Sequence, residues 1–337
     1  RNFQYSVEHV ALAKKADIVL VAPASANVIG KIANGIADDM LTTTVMACPC
    51  KKLIAPAMNT RMFENPILQD NLEKCRHYGM DIIMPDSGRL ACGDVGSGKL
   101  PSEEVLVAAI LKEIRYEKDM QGLKVLVTAG ATQEAIDPVR FISNHSTGKM
   151  GFALAKTAMQ RGADVTVVAA HTSAKEPLYV NIRRVSSAAD MFEACKEEAK
   201  TADIIIKAAA VADYTPVETA DNKIKKSDDT MAITCKRTQD ILAYLGAHKP
   251  DGQFLCGFSM ETEHMLENSE KKLEKKNLDM IVANNLKVKG AGFATDTNVV
   301  TLITKEEVKE LPLMSKDEVA NEILTQILQR RCPENGQ

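Results

Sequence analysis

The densest concentration of chemically competent side chains lies in one stretch, Asp137-Pro-Val-Arg140-Phe-Ile-Ser143-Asn144-His145-Ser146-Thr147-Gly148-Lys149-Met150. An arginine, a carboxamide, several hydroxyls, an imidazole and a lysine gather there beside a glycine at an expected helix start. Such a set suits an anion, or a transition state that develops negative charge. The plain alternative is a solvated loop carrying a helix cap. A second constellation, Ala208-Ala-Ala-Val-Ala-Asp213-Tyr214, follows an apolar run. Its aspartate can accept hydrogen bonds from a ribose or a base, and its alanines let a ligand approach the backbone. Further on come Lys223-Ile-Lys225-Lys226, then Lys272, Lys275 and Lys276 on one face of an expected helix. A magnesium triphosphate needs such cations, although a lysine run is more often a solvated face. Cys48-Pro-Cys50 has no second cysteine pair nearby, so four ligands with zinc-like spacing cannot be assembled around it.

These residues need a scaffold, and two segments of the chain repeat the same pattern. An alanine-rich charged helix (10–17, then 194–202) leads into a short apolar strand (18–22, then 203–207) and a loop of small residues (23–27, then 208–213). Buried strands alternating with helices are the mark of a parallel sheet covered on both faces. Further strands are expected at 52–55, 81–84, 124–128, 164–169, 181–185, 254–258 and 280–283. Helices are expected at 66–78, 102–114, 150–161, 188–200, 238–247, 265–276 and 316–330. The polar run Arg115 to Gly122 reads as a linker. The fold class is therefore α/β, with two doubly wound, mostly parallel-sheet domains, 1-118 and 119-331.

The second domain opens like a nucleotide-binding unit, with Val125-Leu-Val-Thr128 running into Ala-Gly130-Ala-Thr132. The following loop, 133–149, is expected to lack secondary structure and matches neither GxGxxG nor the phosphate loop GxxxxGK[ST]. A long structureless loop inside a compact domain is more often functional than idle. A nicotinamide-dependent reductase, which would want GxGxxG after Val127, is disfavoured on this ground.

The bulk numbers narrow the function classes. Across 337 residues, 42 basic and 45 acidic side chains leave a net charge of -3, without the basic excess that a nucleic-acid or membrane surface usually needs. No apolar run is long enough for a bilayer-spanning helix. Eight scattered cysteines without a signal peptide suit reduced thiols in the cytosol.

Taken in order, the stretches TAGATQEAIDPVRFISNHSTGKMG, AAAVADY, NKIKK, GFSMET and KKNLDMIVAN resemble the phosphopantothenate–cysteine ligase half of the bacterial bifunctional coenzyme A biosynthesis family. HVALAKKADIVLVAPASAN, GIADDML, PAMNTRM and LACGDVGSGKL resemble its other half, phosphopantothenoylcysteine decarboxylase. The resemblance covers nearly the whole chain and implies two Rossmann-like domains, the first a flavodoxin-like flavoprotein.

For the ligase the resemblance implies that the carboxylate of 4'-phosphopantothenate attacks CTP, accompanied by Mg2+, to give an acyl-cytidylate, from which the amine of L-cysteine displaces CMP. It implies that Asn144 contacts the acyl-nucleotide with Arg140 and Ala210 nearby. Asp213 would bind the nucleotide, Lys223, Lys272 and Lys276 its phosphates, and Gln239, Asp240, Ile241, Leu242 and Phe258 would frame the base. Arg237-Thr238-Gln239-Asp240 stands where the family more usually has Lys-Asn-Pro-Asp, which leaves base selectivity open.

For the decarboxylase the resemblance implies FMN as the oxidant of a cysteine thiol. His9 matches the essential histidine, Asn59 the amide that holds the substrate carboxylate, and Cys92 the proton donor, on a flap eased by Gly93 and Gly96. Ser25 and Asn27 match the flavin-side loop. The family's glycine-rich FMN phosphate turn has no counterpart before His9, as though about sixty residues were missing at ~30 per βα unit, and a colourless preparation is expected. His77, His171, His248 and His264 receive no support from the resemblance. It further implies homo-oligomers, with ligase dimers and decarboxylase trimers. One alternative is a ligase-only enzyme with an inactive decarboxylase remnant; the rival from another class is a non-catalytic flavoprotein-like regulatory or binding protein, but such a relative would lose the cysteine or carry a long acidic tail.

Overall fold

A computed structural model describes residues 7–89, 95–225, 230–260, 265–284 and 295–331. The chain divides into two compact units, Arg1–Glu117 and Lys118–Gln337. Among the described residues no helix is long and apolar enough to cross a membrane.

In the first unit α1 (Glu8–Lys15) precedes β1 (Ile18–Ala24), followed by α2 (Ala26–Asn34), α3 (Met40–Ala47) and β2 (Lys51–Pro56). Then come α4 (Thr60–Phe63), α5 (Pro66–His77), β3 (Asp81–Ile82), the hairpin β4 (Asp86–Arg89) and β5 (Val95–Lys99), and α6 (Glu103–Ile114). The sheet is parallel, in the order β1-β2-β3. Strand residues alternate between two apolar clusters. Val21 and Ile54 pack with Ile29 of α2 and Leu72 of α5, while Leu53 and Ala55 pack beneath Ala109 of α6.

Here the sequence expectation needs correcting. The small residues 23–27 are not a loop: β1 runs through Ala24, and the Ser25 hydroxyl accepts from Val28 N at 3.3 Å to start α2. Neither α2 nor α3 was expected from the sequence: α3 carries three threonines and little apolar pattern, and α2, although amphipathic, spans only nine residues directly after a strand. The expected strand 81–84 stops at Ile82.

The second unit contains β6 (Lys124–Ala129), the small hairpin β7 (Gln133–Ala135) and β8 (Phe141–Ser143), then α7 (Lys149–Gln160), β9 (Asp164–Ala169) and β10 (Asn181–Arg184). It continues with α8 (Ala188–Glu198), β11 (Ile204–Lys207), β12 (Tyr214–Pro216), β13 (Cys235–Arg237), α9 (Ile241–Ala247), β14 (Phe254–Met260), α10 (Met265–Lys275) and β15 (Met280–Asn284). Last come β16 (Thr297–Asn298), β17 (Val300–Ile303), β18 (Val308–Glu310), β19 (Met314–Ser315) and α11 (Lys316–Arg331). Eight strands form one sheet in the order β10-β9-β6-β11-β14-β15-β17-β18. The first six are parallel, and β17 and β18 are antiparallel at the edge.

The all-apolar strands follow from burial on both faces. Ile204 and Ile206 pack in the cluster that holds residues of α7 and α11, and Ile205 in the cluster under α8, α9 and α10. The expected structureless loop 133–149 is corrected too, since it folds back on itself as the β7–β8 hairpin. Its period was hidden because each strand is three residues long. Thr238 to Asp240, expected as helix, lie outside α9. Asp240 caps that helix instead, its Oδ1 accepting from Ala243 N at 3.0 Å.

Helix α7 crosses β6 at Gly151. A Cβ there would stand 2.7 Å from Ala129 Cβ and 2.9 Å from Thr128 O, so only glycine allows this approach. Gly151→Val is expected to destabilise the second unit by at least ~2 kcal/mol through overpacking, read as a lower urea midpoint for that unit's transition.

Candidate functional site

A cleft of about 900 Å³ opens where β6, β11 and β14 end, the edge at which open parallel sheets bind ligands. Its floor is the segment 208–212, held flat by two threonines that are fully buried. Thr128 Oγ1 accepts from Ala209 N at 3.0 Å and Thr132 Oγ1 from Ala212 N at 3.0 Å. The backbone adds Ala210 N to Gly130 O at 2.8 Å. Donors that leave the sheet ladder are thus satisfied, and the alanines present backbone to a ligand.

The β7–β8 hairpin supplies the opposite rim. Asp137, 2% exposed, accepts from Val139 N and Arg140 N at 2.8 Å each, and from Arg140 Nε at 2.9 Å and Nη2 at 2.5 Å. It also accepts from Ile224 N at 3.2 Å, while Arg140 Nη2 donates to Ile224 O at 2.9 Å. The Arg140 guanidinium, together with these backbone donors, holds the Asp137 carboxyl far below the ordinary carboxylate range. Beyond the hairpin, Asn144 Nδ2 donates to Val211 O at 3.1 Å, joining the rim to the floor. Residues 144–151 then line the cleft into the first turn of α7, whose N-terminal N–H groups favour anions.

On the α9 side, Thr238 Oγ1 donates to Ala212 O at 2.7 Å, and Lys276 Nζ pairs with Asp240 Oδ2 at 2.8 Å. Burial opposes ionisation of Asp240, but Lys276 and the Ala243 N–H outweigh it and keep the carboxyl below its usual value. On the other side Lys149 Nζ pairs with Asp296 Oδ1 at 2.7 Å, and the buried Lys316 donates to Thr295 O at 2.5 Å.

Of the ligase residues expected from sequence, the cleft brings together Asn144, Ala210, Asp213, Gln239, Asp240, Ile241, Leu242, Phe258 and Lys276. Arg140, Lys223 and Lys272 are not among its lining residues. The Arg140 guanidinium is turned onto Asp137 at the rim. Lys276 follows the last residue of α10 and keeps the helical turn, its N–H donating to Lys272 O at 3.0 Å, while its side chain reaches Asp240. Sequence reasoning missed Lys207, Asn284, Asn298 and Lys316, all on the wall. Lys207 carried a signal: a charged residue closing an Ile-Ile-Ile strand marks the ligand edge. Lys316 carried none, since an exposed helix start looks the same in sequence.

In the first unit, Ser25 and Asn27 are exposed at the C-terminal end of β1. Asn59 follows the C-terminal end of β2 and caps α4, its Oδ1 accepting from Arg61 N at 2.9 Å. Since β1 and β2 are parallel neighbours, tied further by Ala57 N to Ala24 O at 3.0 Å, these three residues leave the same edge of one sheet. His9 is half-buried in the first turn of α1. Cys92 lies outside the described residues, between β4 and β5. The hairpin base is docked and not free: Met58 N donates to Gly98 O at 2.9 Å, a Cβ on Gly98 (φ 122°) would collide with Met58 O, and one on Gly96 with Thr60 Oγ1. Among the described residues no group of three or more His, Cys, Asp or Glu could hold a metal ion.

Asp137→Asn tests the rim. A carboxyl held below its unfolded value stabilises fully above that value, about 3.9, and the benefit fades as pH falls towards the folded value. The variant is therefore expected to melt earlier than the parent at pH 7, and the gap to narrow only below about pH 4, as checked by thermal melts across pH.

Residues 120–330 match the family described as DNA/pantothenate metabolism flavoprotein C-terminal domain, and residues 1–115 the family described as Flavoprotein. The chain is 48% identical over 325 residues to the coenzyme A biosynthesis bifunctional protein CoaBC of Bacillus subtilis, covering 95% of this chain and 80% of that protein. It is 44% identical over 324 residues to the protein of the same name from Vibrio vulnificus, covering 96% and 80%. The crystal structure of the C-terminal domain of a CoaBC protein is similar at 47% identity with a TM-score of 0.54, covering 62% of this chain and 98% of that one. The DNA/pantothenate metabolism flavoprotein from Streptococcus pneumoniae is similar at 26% identity with a TM-score of 0.55, covering 62% and 100%. The chain belongs to the CoaBC family of bifunctional coenzyme A biosynthesis enzymes, which join a ligase and an FMN-dependent decarboxylase in one polypeptide.

Proposed function

We propose that the second-unit cleft, within residues 119-331, is where phosphopantothenate and cysteine are joined, and that the sheet edge of the first unit, within residues 1-118, is the decarboxylation site. The observation that carries the ligase assignment is the Asn144–Val211 contact, which unites the anion-suited rim with the alanine floor. The α7 end of the cleft suits the phosphate of 4'-phosphopantothenate, and the α9 end suits the nucleoside.

The substrate carboxylate attacks the α-phosphorus of CTP, the bond to the bridging oxygen breaks, and pyrophosphate leaves; Mg2+ carried by the nucleotide would offset the phosphate charge. The amine of L-cysteine then attacks the acyl carbon, and CMP departs. One N–H of Asn144 is spent on Val211 O, and the other is the donor for charge that develops on the acyl-phosphate oxygens. Asp213 receives the nucleoside hydroxyls. Lys276, held by Asp240 at the α9 end, adds positive field together with Lys223 and Lys272, and Arg140 holds the rim through Asp137.

Ser25 and Asn27 offer exposed polar groups that fit a flavin's edge, and they would hold FMN. When bound, FMN would supply a two-electron acceptor and donor for the substrate thiol. Asn59 holds the substrate carboxylate, His9 is an imidazole able to take a proton, and Cys92 returns one. Exposed Met40, Leu41, Met46 and Ile67 favour an assembly through the first unit, in keeping with trimers there and dimers through the second. With reduced cysteines and small-molecule substrates, the enzyme is assigned to the cytoplasm.

The purified chain is expected to release CMP and pyrophosphate from phosphopantothenate and CTP in a cysteine-dependent way. Asn144→Asp, which puts a carboxylate against Val211 O and removes a donor, should slow the second step so that acyl-nucleotide accumulates in a quenched-flow assay. Absence of CMP release with every nucleotide tried would sink the ligase reading. Gly98→Ala is expected to displace the hairpin from Met58 and lower the urea midpoint of the first unit's transition while CMP release stays unchanged.

A further inference from the structure

Lys207 closes the central strand β11 after three isoleucines that are fully buried. In register it faces Thr128 on one side and Gly257 on the other. It shares the sheet face of Ile205, the face covered by α8, α9 and α10. Gly257 leaves the neighbouring space open to Leu242, since a Cβ there would stand 2.9 Å from Leu242 Cδ2. Lys207 therefore reaches the cleft wall between the floor and the Ile241–Leu242 frame.

Its ammonium makes no hydrogen bond or ion pair with a described residue. The nearest acid on α9 is committed, because Asp240 accepts from Ala243 N through Oδ1 and pairs with Lys276 through Oδ2. Burial first, and Lys276 second, push the Lys207 ammonium below its usual value, while Cys195, Asp240 and Asp213 oppose this. A half-buried ammonium without a partner is unfavourable until a ligand brings an acceptor.

The surroundings select that acceptor. Asp213 and Asp240 already offset the charge at this corner, and a polyanion would meet both carboxylates. A neutral carbonyl beside the apolar Ile241 and Leu242 meets neither difficulty. A pyrimidine base carries such a carbonyl at position 2, whereas adenine has only a C–H there.

We propose that Lys207 donates a hydrogen bond to the O2 carbonyl of the nucleotide's pyrimidine and so sets the preference for CTP over ATP. This assignment rests on the ligase reading of the cleft. It places base selection in a residue of the central strand, outside the altered Arg237-Thr238-Gln239-Asp240 run.

The test compares the full-length chain with Lys207→Met and Lys207→Gln, following cysteine-dependent CMP release. Inorganic tripolyphosphate serves as a competitive probe of the phosphate subsite. Lys207→Met is expected to raise the KM for CTP about tenfold, the scale of one hydrogen bond from a charged donor, with kcat and tripolyphosphate inhibition within about twofold of the parent. Lys207→Gln, which keeps a shorter donor, should fall between the two and carries the comparison if the methionine variant fails to fold. A parallel loss of tripolyphosphate inhibition, or an unchanged KM for CTP in both variants, overturns the assignment while leaving the ligase site standing. A parent chain that releases no CMP overturns both.

Discussion

Asp137 is almost sealed from solvent, yet its carboxylate receives donors from Val139, Arg140 and Ile224. Taking a charge out of water is costly unless nearly every lone pair is met, so this one carboxylate dictates the path of three pieces of backbone. It closes the turn between β7 and β8 and ties the segment of Lys223 to the rim. The functional loop is thus bonded at both sides although it crosses the protein surface, where connecting segments are usually free to wander.

The floor obeys the same logic with neutral groups. Past the end of the sheet, the backbone of 208–212 loses its ladder partners, and Thr128 and Thr132 replace them with hydroxyls. Larger side chains at 208–210 would lift a ligand off that backbone, and fewer hydroxyls would leave buried N–H groups unmet. Sequence, packing and chemistry meet at this point: the alanines exist for approach, the threonines for satisfaction.

Much of this was legible in the residues. Alternating apolar runs revealed the parallel strands, because strands buried on both faces have no polar register to hide behind. The cleft residues Asn144, Ala210, Asp213 and Phe258 were found through motif order. Short elements escaped: the three-residue strands β7 and β8 show no period, and α2 spans only nine residues directly after a strand. Motif order places Arg140 near the acyl-nucleotide, and no pattern in the residues signals that a buried acid three residues upstream holds its guanidinium. Lys316, Asn284 and Asn298 reach the wall through tertiary packing alone, which leaves no local trace.

The antiparallel strand β17 carries a consequence for how the enzyme is made. Because it runs against its neighbour β15, the residues just before it arrive at the ligand edge, where in a parallel strand only those just after could. Asn298 joins Asn284 at 2.9 Å, and Asp296 reaches Lys149. The wall therefore needs Lys316 from the last helix, far downstream of the Asn144 rim it faces. During synthesis, when chains fold from the N-terminal side, the nucleotide end can form early while the opposite wall stays open. The whole cleft therefore exists only once the segment that runs from Asp296 to Lys316 has joined the domain.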